Sequence, residues 1–156
     1  MSGVDDPTGG AWEERSVPAH TPWWSRPLRD LRDLVRAREE LRDRLRSAGL
    51  VDPSGPGTAL SEAAERLLLA ADEMTSNAIR HGNPPVAVGL AAVERPDHYL
   101  LTVTDQAPST APAPDPGRDP VDGGLGLFII ATYAVEHGWW PEGGTKTVWA
   151  VLPTTA

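Results

Sequence analysis

Leu28, Leu31, Leu34, Val35, Leu41 and Leu45 recur at spacings of three, four and seven, with Arg, Asp and Glu between them and Gly49 after the last. That periodicity predicts an amphipathic helix over residues 27–47, opened by Pro27 with Ser25 or Arg26 as its cap. Its arginines are interleaved with Asp30, Asp33, Glu39, Glu40 and Asp43, which favours an internally paired, solvated face over a site for an acidic partner. A second helix follows the loop Asp52–Gly57, capped by Thr58 or Ser61. Leu60, Ala64, Leu67, Leu68, Ala71, Met74, Thr75, Ala78 and Ile79 fall in one arc of about 140° and face the core. His81-Gly82-Asn83-Pro84-Pro85 ends it.

Val86 to Glu94 and Tyr99 to Asp105 then read as strands joined by the hairpin Arg95–His98, and Trp12 to Val17 as a short first strand. Gln106 to Asp122 has no hydrophobic period and carries prolines at 108, 112, 114, 116 and 120, so a lid is expected over 106–123. An apolar run from Leu127 to Glu136 predicts a third helix stopped by Gly138. Trp139 to Gly144 reads as a turn, and Thr145 to Leu152 as the closing strand. Helices segregated from hairpin-linked strands give an α+β, two-layer sandwich, with a mixed, mostly antiparallel sheet covered on one face. Residues 1–11 are expected to be a disordered leader and 12–153 one domain.

Composition closes several classes. With no cysteine among 156 residues, disulfides, thiolate metal sites and cysteine nucleophiles are excluded. The four histidines are 17 or more positions apart, without the i, i+3 or i, i+4 spacing of helical metal ligands. A net charge of −8 argues against direct nucleic-acid binding. The apolar run Leu125–Val135 is too short for a bilayer span and the amino terminus lacks a signal-peptide pattern. The expectation is therefore a cytoplasmic protein with no membrane contact. Trp23-Trp24 and Trp139-Trp140 are candidates for a contact surface, a homodimer included; packing of these rings on the domain's own helices is the favoured alternative.

Three places carry candidate chemistry. Glu73, Asn77 and Arg80, at i, i+4 and i+7, project from the polar side of the second helix, and such a stripe offers a proton acceptor, an amide ligand for a hard cation and a guanidinium for phosphate oxygens; a solvated helix face is the ordinary alternative. Asp105 ends a strand, where its carboxylate can accept from an exocyclic amino group such as adenine N6, or merely initiate a turn. Gly123-Gly124-Leu125-Gly126 opens a helix, where backbone N–H groups can approach an anion. Neither GxGxxG nor the P-loop pattern is present.

In this order, Glu73-Met74-Thr75-Ser76-Asn77-Ala78-Ile79-Arg80-His81-Gly82, Asp105, the lid, Gly124-Leu125-Gly126-Leu127 and Thr147-Val148-Trp149 resemble the GHKL ATPases of the Bergerat fold. Within these the chain looks most like the bacterial single-domain anti-sigma factor serine kinases, over residues 12–153, ExxxNAxxHG being the most specific portion. The resemblance implies ATP and Mg²⁺ as cofactors. It makes Glu73 the general base and Asn77 the Mg²⁺ ligand, and sets Arg80 and His81 beside the phosphates. Asp105 would bind adenine, Ala107 would line the base pocket, and Thr147 would support the adenine subsite. Gly124, Leu125, Gly126 and Leu127 would form the lid-to-helix phosphate turn. The implied activity is a serine/threonine kinase that sequesters a sigma factor and phosphorylates a STAS-type anti-anti-sigma partner. Two departures keep a second reading open, a non-catalytic, ATP-responsive or nucleotide-free protein-binding regulator. Asp105 is followed by Gln106-Ala107-Pro108-Ser109, without the glycines of the family's DxGxG, and Asp122 stands where a glycine is common.

Overall fold

The computed structural model describes residues 12–57, 59–112 and 125–155, with the backbone alone at Leu125. The expected leader, Thr58 as a cap, the lid from 113 onward and Gly124 lie outside these residues. The described elements are β1 (Thr21–Leu28), α1 (Leu31–Ser47), α2 (Glu62–His81), β2 (Val86–Ala92), β3 (His98–Asp105), α3 (Leu125–Tyr133), β4 (Glu136–Glu142) and β5 (Thr145–Pro153). The strands form one sheet in the order β1-β2-β3-β5-β4, every neighbouring pair antiparallel. Among the described residues the one parallel contact is the bridge Glu14↔Trp139. The expected α+β sandwich is the observed architecture.

The first helix starts later than its leucine pattern predicts. Asp30 is the N-cap, its carboxylate accepting from Arg32 N at 2.9 Å and Asp33 N at 3.2 Å, and Pro27 belongs to β1 instead. A proline lacks the N–H that an interior strand must donate, and β1 is an edge strand, so Pro22 and Pro27 are tolerated there. The face of α1 that packs is Leu34, Ala37, Leu41 and Leu45, which leaves Leu31 and Val35 exposed. Its charged face is paired mainly across elements rather than within itself. Arg38 reaches Asp72 of α2 at 2.8 Å and Arg42 reaches Glu65 at 3.5 Å, while Glu40 accepts from Trp24 Nε1 at 2.7 Å and pairs with Arg26 of β1. Trp24's hydrogen bond, followed by the Arg26 contact, holds the Glu40 carboxyl below its ordinary range.

Ser61 caps α2, its Oγ accepting from Ala64 N at 3.2 Å. Small residues on the buried face, Ala64, Ala71 and Ala78 among them, let this helix lie close to the sheet, against Val86, Val88, Leu101 and Val103 in one core. At the other end of the chain the apolar run misleads. The third helix stops at Tyr133, and Glu136–Glu142, expected as the end of a helix and a turn, is strand β4, paired with β5 from Glu136↔Val151 to Glu142↔Thr145. Gly143 and Gly144, with φ of +54° and +84°, make the tight connection between them. The apolar run of 127–135 leads into His137-Gly138-Trp139-Trp140 without an alternation to mark the change.

The expected first strand at 12–17 is a short clasp rather than a strand. Trp139 N donates to Glu13 O at 3.1 Å and Arg15 N to Trp139 O at 3.0 Å, so this segment covers the otherwise open edge of β4. It passes from one face of the sheet to the other. Trp12 sits in the main core, whereas Val17 packs on the second cluster of Ala91, Leu100, Trp149 and Val151 on the reverse face. Trp24 is buried, and Trp23 and Trp139 pack against the core; Trp140 is the most exposed of these four rings. Among the described residues no helix is long and apolar enough to cross a membrane.

The cap placement is testable by chemical denaturation. Asp30→Ala is expected to cost about 1 kcal/mol, the usual loss for a helix N-cap. Ser25→Ala, on the exposed side of β1, should stay within about 0.5 kcal/mol of the wild type.

Candidate functional site

A cavity of about 180 Å³ opens where the last turns of α2 meet the end of β3 and the start of β5. Its walls include Asn77 and His81 from α2, Asp105 from β3, Leu127 from α3, and Lys146 and Val148 from β5, with 110–112 closing one side. Sites for drug-sized ligands run from about 300 to 1,000 Å³, so the enclosed part suits a planar ring with the rest of a ligand extending beyond it.

Asp105 is the centre of this arrangement. It is 1% exposed, its Oδ1 accepts from Ala107 N at 2.8 Å, and its Oδ2 has no hydrogen-bond partner. A buried carboxylate oxygen left in that state calls for a donor. Gly82 explains how α2 comes so close: a Cβ at that position would lie 2.6 Å from Asp105 Cγ and Oδ2 and 2.7 Å from Ala78 O. The helix end therefore admits glycine alone, and its position after His81 brings Asn77 and the carboxylate to the same cavity. Gln106 N donates to Asn83 O at 2.9 Å and ties the two chain segments just past this contact.

Lys146 is the residue that sequence reasoning missed. It is 4% exposed, with Nζ 3.4 Å from Asp105 Oδ2 and a hydrogen bond to the Thr110 carbonyl. The signal was available. Val148, Ala150 and Leu152 face the helices, and the period of a strand puts Lys146 on that side with them. Thr147, one position on, faces the reverse side, where its hydroxyl meets that of Thr104 at 2.9 Å. The structure does not bring Thr147 to the cavity.

The Glu73/Asn77/Arg80 stripe is split. Asn77 lines the cavity, while Glu73 lies in an adjoining groove of about 260 Å³ between α2 and α3, with Leu69, Ile129 and Tyr133. Gly126 makes that placement possible, since a Cβ there would lie 2.2 Å from Glu73 Oε2. The carboxylate thus rests against the first turn of α3, whose amino-terminal end favours negative charge. Burial, and next the neighbouring charge of Asp72, push the Glu73 carboxyl above its ordinary value, with Arg80 opposing. Arg80 is exposed and lines neither cavity. Ala107 is not in the cavity wall either; its N–H orients Asp105. Of the glycine-box residues, Leu127 reaches the cavity and Gly126 the groove. Gly124 and the Leu125 side chain lie outside the described residues.

The model of the histidine kinase-like ATPase domain matches residues 29–152. None of the curated proteins matches the chain. Among solved structures, the histidine kinase AdeS of Acinetobacter baumannii is similar at 18% identity, with 85% of this chain and 68% of that one covered and a TM-score of 0.45, too weak a likeness to carry an argument.

The Glu73 environment gives a pH signature. Folding raises its pKa above the ordinary 4.5, so the folded state holds the proton more tightly. The stability this group contributes is complete below pH 4.5 and lost as pH rises through the raised value. Glu73→Gln should therefore raise the melting temperature at pH 7, and the gain should shrink on acidification. A gain that is equal at pH 7 and pH 4 would contradict this account of the carboxylate.

Proposed function

The chain belongs to the histidine kinase-like ATPase domain family, and on that premise we propose that it is a Mg²⁺-ATP-dependent anti-sigma factor kinase. It would transfer the γ-phosphoryl group to a serine or threonine of a STAS-type partner. The observation that supports nucleotide binding best is the cavity itself, in which a buried Asp105 Oδ2 without a hydrogen-bond partner, the Asn77 carboxamide and His81 meet. In this reading Asp105 accepts from the exocyclic amino group of adenine, and the imidazole of His81 and the more distant Arg80 face the phosphate chain.

The donor set fits a cation that arrives with its nucleotide. Among the described residues no three His, Asp or Glu side chains cluster as a metal site of their own; the Asn77 carboxamide, which lines the cavity, would hold the Mg²⁺ together with oxygens of the nucleotide. When bound, the ion neutralises phosphate charge. Glu73, with its raised pKa, is suited to accept the proton of an incoming hydroxyl. Its groove lies beside the cavity, with Leu69, Ile129 and Tyr133 as an apolar approach for the polypeptide that carries that hydroxyl.

A second reading, a non-catalytic regulator of the same fold, is favoured by two observations. Glu73 faces the groove and not the cavity, and the Asp105 carboxylate already has Lys146 beside it.

Isothermal titration with ATP, with and without Mg²⁺, and phosphate transfer to a STAS partner separate the readings. Asn77→Ala is expected to weaken Mg²⁺-ATP binding. Glu73→Ala should retain it while transfer falls by roughly 10² to 10⁴, the usual contribution of a general base. Absence of binding at millimolar ATP would sink both nucleotide-dependent readings; binding without transfer in the wild type would leave the regulator.

A further inference from the structure

The floor of the cavity holds two groups of opposite hydrogen-bonding character side by side. Asp105 Oδ2 is an acceptor with no hydrogen-bond partner, hemmed on one side by the Gly82 backbone. Lys146 Nζ, 3.4 Å away, carries three donors. One of these serves the Thr110 carbonyl, and the ammonium is almost wholly buried at 4% exposure while lining the cavity. Burial of both charges gives each a strong demand for correctly oriented partners, because unmet polar groups in such a place are costly.

A lone carboxylate here would select adenine sharply. It accepts from the amino group at position 6 and would face an oxygen in guanine or hypoxanthine. With Lys146 present that repulsion is removed. We infer that Lys146 is a base-specificity residue, and that the Asp105–Lys146 pair admits 6-oxopurine nucleotides alongside adenine nucleotides. For a 6-oxopurine the ammonium donates to O6 while Asp105 accepts from N1–H. For adenine, Asp105 accepts from the N6 amino group and the ammonium keeps its bond to Thr110. The inference rests on the nucleotide-binding reading above and concerns only which base that site takes.

The test is equilibrium titration of the full chain with ATP and with inosine triphosphate, which presents O6 and N1–H without a 2-amino group. In the wild type, inosine triphosphate is expected to bind within about tenfold of ATP. Lys146→Met, similar in length and uncharged, should raise the preference for ATP over inosine triphosphate by at least about tenfold. Should that variant not fold with Asp105 left uncompensated, Asp105→Asn/Lys146→Met removes both charges together; with the amide oxygen kept on Ala107 N, the NH2 takes the place of Oδ2, and the preference should shift toward inosine triphosphate. A wild type that binds ATP more than tenfold tighter than inosine triphosphate overturns the inference and leaves nucleotide binding intact. Variants with an unchanged preference overturn the role of Lys146, as does a Lys146→Met protein that binds both nucleotides more tightly, which would make Lys146 an obstruction. If neither nucleotide binds the wild type at millimolar concentration, the nucleotide-binding reading itself fails and the inference with it.

Discussion

The approach of the α2 terminus to the end of β3 governs the geometry of everything around it. A helix of this length is about 30 Å long, and its last turns meet the end of β3. Where Gly82 meets Asp105 there is no side chain between helix backbone and strand carboxylate. Gly82 N still closes the helix on Ala78 O at 2.9 Å, and Asn83 and Gln106 are joined immediately beyond. Displacing this contact by the width of a methyl group would lift Asn77 and His81 away from the carboxylate together. The packing of Met74 and Ala78 beneath holds the approach in place, so core and site are the same construction at this end of the molecule.

Much of this is legible in the sequence, for reasons that differ by element. The second helix has a long apolar arc, a serine cap and a Gly-Asn-Pro-Pro stop, all of which agree, and the structure follows them. The two central strands combine β-branched residues with a short polar connection, and they too are where expected. The failures came where one local signal outweighed a tertiary one. Pro27 is an acceptable first helical residue, but Asp30 offers a better cap and an edge strand tolerates proline. The apolar run after Leu127 has no internal mark at which a helix should yield to a strand, and only pairing with β5 distinguishes them.

At the site, the convergence of Asn77, His81 and Asp105 followed from their order along the chain, whereas the split of the stripe did not. Glu73 and Asn77 are one turn apart on α2, yet α3 comes down between their surroundings. That division depends on Gly126, whose lack of a side chain cannot by itself reveal which partner fills the space. Thr147 and Lys146 illustrate a different sensitivity. In a strand, one position exchanges the two faces, so choosing the threonine over its neighbour moved a predicted function from the cavity to the reverse side of the sheet. The residue in phase with Val148 is the charged one, and burying an aspartate beside it is tolerable because the pair compensates. The cavity floor consequently contributes almost no net charge, and attraction for an anionic ligand has to come from other groups.

The clasp at the amino-terminal end joins distant parts of the molecule. Trp12 donates from its indole to the carbonyl of Leu127 at 3.3 Å, and Leu127 is part of the cavity wall. One and three residues later, at Glu13 and Arg15, the same segment is hydrogen-bonded to Trp139 of β4, and Trp149 donates to Arg15 O at 3.0 Å on the far face. A protein fused ahead of residue 12 would thus be mechanically linked to the start of α3. Its tension or torque would reach the wall of the cavity through the Trp12 indole and through the paired strands β4 and β5, without any change in the residues that face a ligand.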